Sequence, residues 1–177
     1  PASLIHALQN HDELTLELVH FWTLHADDVF TLNRRWTVEY AAELDRRGLH
    51  VPFECISRAD RITPAVADAL QAMGCFRLWI GSESGSQRVL DAMGRLTDAA
   101  DVRATTKMLQ QRGIEVGMFI MLGYEGEDES DLEATVEHLK QASPDIFLTT
   151  VAYPIVGTPY YREVADRLRS HRPWHER

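Results

Sequence analysis

Cysteine is scarce, with only Cys55 and Cys75 in 177 residues. They stand too far apart for any metal-binding spacing and too few for a disulfide framework. A reducing, cytoplasmic setting is the expectation that follows. Basic residues are also short, 18 against 27 acidic ones, for a formal charge of −9. A surface of that sign argues against duplex nucleic acid or an anionic membrane as a partner. No apolar run exceeds strand length, so no segment reads as a bilayer span, and no secretory leader is visible. Linkers and low-complexity stretches are absent too. There is no initiator Met: the chain starts at Pro1 and is expected to be a piece of something longer. What is present is 45% hydrophobic and 25% charged, the balance of an ordinary globular domain, at a length of about one domain.

Three glycines punctuate this chain alike: Gly48, Gly74 and Gly113 each follow helical periodicity and precede a strand-like run. Before Gly48 the apolar residues are Trp36, Tyr40 and Leu44; before Gly74 they are Val66, Leu70 and Met73. Glycine accepts the left-handed backbone that closes a helix, so all three read as C-terminal caps. Thr63-Pro64 and Thr158-Pro159 read as helix starts, and Ser130 with Glu133 as a capping box. The expected strands are Leu18–Leu24, Val51–Ile56, Phe76–Ile80, Val116–Leu122 and Ile146–Ala152. Most are continuous apolar runs, the pattern of strands covered on both faces. Five strands alternating with helices at a period of about 30 residues imply parallel β-α units: an open sheet or an incomplete barrel. Residues 1–169 form the expected domain and residues 170–177 an unstructured tail.

In such folds chemistry collects beyond the carboxyl ends of the strands. Those ends carry Asp27-Asp28, then Glu54 with Arg58 and Asp60, then Gly81-Ser-Glu-Ser-Gly-Ser86, Leu122-Gly-Tyr-Glu-Gly-Glu127 and Tyr153–Pro159. Glu54, set among apolar neighbours, is either a structural salt bridge to Arg58 or another strand-end charge, or a ligand-binding carboxylate. Period two places Arg77, Trp79, Gly81 and Glu83 on one face. A glycine below Glu83 leaves room for a small molecule to approach the backbone, whereas Ser84 and Ser86 also suit a helix cap. Asp27-Asp28 has no ligand partners at helical spacing, and Pro173 separates His171 from His175, so no metal site is expected. Gly123–Gly126 lacks a phosphate-loop lysine and is followed by acids.

Taken in order, Ala26–Thr31, Glu54–Arg58, Met73–Ser86 with Val89–Met93, Phe119–Glu127 and Tyr153–Pro159 resemble the radical S-adenosylmethionine (SAM) enzymes. The likeness is to the branch that often carries a cobalamin-binding domain, the relatives of anaerobic Mg-protoporphyrin ester cyclase. It covers roughly residues 18 to 162 and implies an α/β fold, a partial (β/α)6 TIM-like barrel missing its first strand. In that family a CxxxCxxC loop after the first strand holds a [4Fe–4S] cluster; this sequence contains no such loop, so the ligands are expected off this chain.

The resemblance assigns SAM contacts residue by residue. Asp27 and Asp28 meet the amino group, Glu54 lies near the amino-acid moiety, and Glu83 and Ser84 reach the ribose. Arg95 matches an arginine that binds the SAM carboxylate; read from residues alone, it is also an ordinary helix-end cation. Phe119–Met121, with Met121 at its end, lies along the adenine, and Tyr124-Glu125 stands where many members have proline. The implied activity is reductive cleavage of SAM to a 5′-deoxyadenosyl radical, for C–H abstraction or methyl transfer on an unidentified small-molecule substrate, with cobalamin upstream as a further cofactor. The chain alone is expected to be catalytically silent. Two alternatives stand beside this: a non-catalytic (β/α) binding or scaffold module, and an unrelated (β/α) enzyme using Glu54 and Glu83 as acid and base. An uncovered edge at Val19–Leu24 is expected to promote self-association.

Overall fold

Glycines close several of the described helices, and side-chain caps open several of them. In the computed structural model, which describes residues 29–167, helix α1 (Arg34–Arg46) opens with the Asn33 side chain accepting from the Trp36 N–H. It closes before Gly48, which has φ +65°. Strand β1 (Phe53–Ser57) follows, then helix α2 (Pro64–Met73), strand β2 (Cys75–Glu83) and a short helix α3 (Gln87–Ala92). Helix α4 (Ala99–Gln110), strand β3 (Glu115–Leu122), helix α5 (Glu129–Ala142), strand β4 (Ile146–Val151) and helix α6 (Pro159–Val164) complete the order. Thr63 and Thr158 cap α2 and α6 as their sequences indicate, accepting from Val66 and Tyr161 N–H groups. The capping box of α5 lies two residues earlier than expected. Asp128 and Asp131 form it, rather than Ser130 and Glu133, because Asp131 is the carboxylate that reaches back to the Asp128 N–H, at 2.9 Å.

The four strands form one parallel sheet in the order β1-β2-β3-β4. The expected strand at Leu18–Leu24, and with it the expected associating edge, lies outside the described residues, as does the whole of the expected tail. Alternation along the strands sorts two faces. Phe53, Cys55, Leu78, Ile80, Val116 and Met118 point into a core shared with Val66, Leu70, Met73, Val102 and Leu109 of the helices. The opposite face carries Glu54, Arg77, Trp79, Gly81, Gly117 and Phe119, the inner wall of the partial barrel.

One expectation fails at β4. Its apolar run suggests cover on both faces, yet all six residues are exposed, because among the described elements β4 packs closely only against β3. No helix among the described residues is long and apolar enough to cross a membrane.

Gly117 shows how closely the inner wall is fitted. A Cβ there would stand 2.3 Å from a Trp79 ring carbon, so the indole lies flat on β3 only because position 117 is bare. That placement lets Trp79 stack on Phe119, centroids 5.0 Å apart at 17°, and donate from Nε1 to Glu54 at 3.1 Å. Gly117→Ala is expected to lift the indole, shift the Trp79 Nε1–H resonance and lower stability by about 1–2 kcal/mol, read from urea midpoints.

Candidate functional site

The amino ends of the strands are held by charge. Register places Glu54 opposite Arg77 and Arg77 opposite Glu115. The guanidinium donates to Glu54 at 3.1 Å and to Glu115 at 3.0 and 2.6 Å, tying three strands together. Its pKa is raised chiefly by the hydrogen bond to Glu115. Glu54 is therefore a member of a cross-strand ladder low on the inner wall. Its partner is Arg77 and not Arg58, whose guanidinium is bound to Asp60 at 2.8 and 3.2 Å. The structure does not bring Glu54 and Glu83 together as an acid/base pair, since Glu54 lies opposite Arg77 near the start of β2 and Glu83 closes that strand.

The carboxyl ends of β1 and β2 enclose a small cleft lined by Arg58, Gly81, Ser82, Leu90, Arg95 and Thr97. Glu83 sits at its edge with φ +62°, where a bulge shifts the β2–β3 register between Gly81 and Glu83. The bulge turns the carboxylate back over Gly81, where a Cβ would lie 2.8 Å from Oε1. The space above the glycine is thus filled by the Glu83 side chain itself. Its carboxylate accepts from the Arg95 guanidinium, which rises from the turn after α3 and remains 37% exposed. Burial, and then the neighbouring Arg58, lower the Arg95 pKa, offset in part by Asp60. Beside this cleft, β3 pairs with β2 only as far as Ile120, while its pairing with β4 runs on to Leu122. The β2-facing backbone edge of Met121 therefore lies outside the ladder. The structure brings Glu83, Arg95 and Met121 to one rim; Asp27 and Asp28 lie outside the described residues.

Ser84 turns away from that rim. It is fully buried, with its hydroxyl 3.1 Å from that of Thr135 and accepting from the Ser86 N–H at 3.1 Å. It belongs to a seam between the end of β2 and α5. Ser82 Oγ meets His138 Nε2 at 2.9 Å, and Ser86 Oγ donates to Asp131 at 2.6 Å. Alternate residues 82, 84 and 86 thus face helix positions 138, 135 and 131, one strand period against one helix face. Ser86 holds the N-cap position of α3 but makes no side-chain cap bond there. The seam's spacing is present in the sequence, yet nothing local indicates that the two segments meet.

His138 is 1% exposed, and its Nδ1 lies 3.2 Å from the Arg103 guanidinium. Arginine can only donate, so Nδ1 accepts and the proton sits on Nε2, directed at Ser82. Burial, aided by the charge of Arg103, pushes the His138 pKa down to about 4. As pH falls from the unfolded value near 6.5 toward 4, the unfolded chain takes up a proton that the folded chain refuses. Stability is expected to decline by about 3 kcal/mol across that window. Urea midpoints at a series of pH values check this, and His138→Gln should flatten the slope.

The two cysteines do not suit an iron–sulfur cluster. Both are buried and free, on the helix-facing side of the sheet, away from the rim. Burial first, and then Cys75 beside it, raises the Cys55 thiol well above its usual pKa, opposing the thiolate that iron requires. Among the described residues no cluster of His, Cys, Asp and Glu could hold a metal ion.

The parallel sheet, with a small cleft lined by Arg58 and Arg95 at its carboxyl rim, defines an α/β protein of partial-barrel type. The family model described as the radical SAM superfamily matches residues 19–139, and the chain belongs to that superfamily. It is 31% identical over 134 residues to an uncharacterized methyltransferase of Pyrococcus horikoshii, covering 75% of this chain and 29% of the relative. It is 27% identical over 112 residues to bacteriochlorophyllide d C-12(1)-methyltransferase of Chlorobaculum tepidum, covering 63% and 24%. The chain thus spans less than a third of either curated relative. Among solved structures, the radical SAM methyltransferase TsrM of Kitasatospora setae, bound to cobalamin and a [4Fe-4S] cluster, superposes with TM-score 0.62 at 19% identity, over 75% of this chain and 25% of that one. Coproporphyrinogen III oxidase of Escherichia coli superposes with TM-score 0.60 at 17% identity, over 70% and 30%. At these identities the likeness is one of fold, and it supports the partial-barrel architecture.

Proposed function

We propose that this chain supplies the SAM-binding rim of a radical SAM enzyme, of C–H-abstracting or methyl-transferring type. The observation that carries the reading is the Glu83–Arg95 pair in its cleft. Arg95 takes the SAM carboxylate in a charge-assisted, two-pronged contact. Glu83 accepts from the ribose hydroxyls, and the free backbone edge at Met121 lies along the adenine. Without ligand the two side chains satisfy each other, so neither charge is left buried and unpaired. When bound to an iron–sulfur cluster, SAM supplies the radical chemistry; this chain's residues orient SAM and screen it from water. Methyl transfer is favoured by the methyltransferase relatives, and the TsrM likeness supports the cobalamin that the family resemblance implies.

Two tests apply. Reconstitution with iron and sulfide is expected to leave this chain without a stoichiometric cluster, as iron counting would show. Calorimetry should find SAM bound about tenfold more tightly than its decarboxylated analogue, a preference that Arg95→Gln abolishes. Equal affinity of the unaltered chain for both ligands would remove Arg95 from the site.

A further inference from the structure

Glu83 holds a left-handed backbone conformation, which a non-glycine residue keeps only where its surroundings impose it. Its chain neighbours are Ser82 and Ser84, whose hydroxyls are engaged by His138 and Thr135 of α5. Gly85 adds a backbone contact so close that a Cβ would stand 2.5 Å from Ala134 O. The conformation that aims the carboxylate at Arg95 is therefore imposed from the helix layer.

We propose that His138 is a positioning residue for the rim. Its neutral ring donates from Nε2 to Ser82 and accepts at Nδ1 from Arg103, and this bridge between α4, α5 and β2 fixes the turn that carries Glu83 onto Arg95. The proposal rests on the reading that this cleft takes SAM. The two ring nitrogens engage partners on two different elements, Ser82 of β2 and Arg103 of α4, so the ring ties those elements together besides filling space. Glutamine reproduces the pair, with an amide N–H for Ser82 and an oxygen for Arg103. Leucine fills comparable space and offers neither.

The test measures two quantities on the same proteins: amide hydrogen exchange across residues 83–86, and SAM affinity by calorimetry. His138→Leu is expected to speed exchange and weaken SAM about tenfold, the equivalent of about 1.4 kcal/mol, while His138→Gln stays within about twofold of the parent. Equal behaviour of the leucine and glutamine variants overturns the proposal, since packing alone would then suffice. Should His138→Leu fail to fold by circular dichroism, Ser82→Ala takes its place: it removes the bridge and leaves the ring, and unchanged exchange at 83–86 would then be the overturning result. Absence of SAM binding by the parent chain overturns the SAM reading alone, and the exchange comparison still decides the role of His138.

Discussion

Gly85→Ala is expected to destabilise the fold by about 3 kcal/mol, the upper end of what overpacking a single methyl does. The added carbon would lie 2.5 Å from Ala134 O and from His138 Cβ, and 2.6 Å from Thr135 Cα. Two of these three are backbone atoms of α5, which cannot swing aside as a side-chain tip can. Relief requires α5 to withdraw from β2, and withdrawal breaks the Ser82, Ser84 and Ser86 contacts together. Gly117→Ala, whose tighter clash is with a single indole ring, is expected to do less. Urea denaturation followed by circular dichroism gives the comparison; a loss below about 1 kcal/mol for Gly85→Ala would show that the seam is loose.

Asp131→Ala should have a comparable effect, about 3 kcal/mol. Its carboxylate, only 4% exposed as a residue, accepts from the Ser86 hydroxyl, the Asp128 N–H and the Arg88 guanidinium. The substitution strands a buried hydroxyl, at about 1–3 kcal/mol, and dismantles the α5 capping box, at about 1 kcal/mol. The half-exposed Arg88 adds little. The Ser86 hydrogen bond first, then the Asp128 N–H, hold the Asp131 carboxyl at about 2, below its ordinary 3.8. Its stabilisation is therefore complete above pH 3.8 and is lost as pH falls toward 2. Parent and variant should differ most at neutral pH and converge in strong acid.

Much of this was legible from residue order. Glycine caps and threonine-proline starts located α1, α2, α4 and α6, and the apolar runs located all four described strands within a few residues. The strand-end motifs pointed to the rim where Glu83 and Arg95 meet. What was not legible depends on partners distant in sequence. Glu54 looks like a rim carboxylate until the β1–β2 register, with its irregularity after Phe53, sets it opposite Arg77. Ser84 looks like a ligand contact until α5, about 50 residues later, presents Thr135 to it. The α5 cap moved from Ser130 to Asp128 because the reciprocal bond goes to whichever carboxylate geometry allows, and Ser86 already orients Asp131. Alternation implied that Glu83 continues the face of Gly81; the bulge at Gly81/Glu83 is what folds its carboxylate back onto Arg95.

Titration of this chain with SAM at neutral pH is the most direct test of the account. It predicts saturable one-to-one binding, weakened about tenfold by Arg95→Gln and left within about twofold by Arg35→Gln, a control at an exposed arginine paired with Glu39 on α1. Absence of saturable binding, or equal weakening by both substitutions, would contradict it.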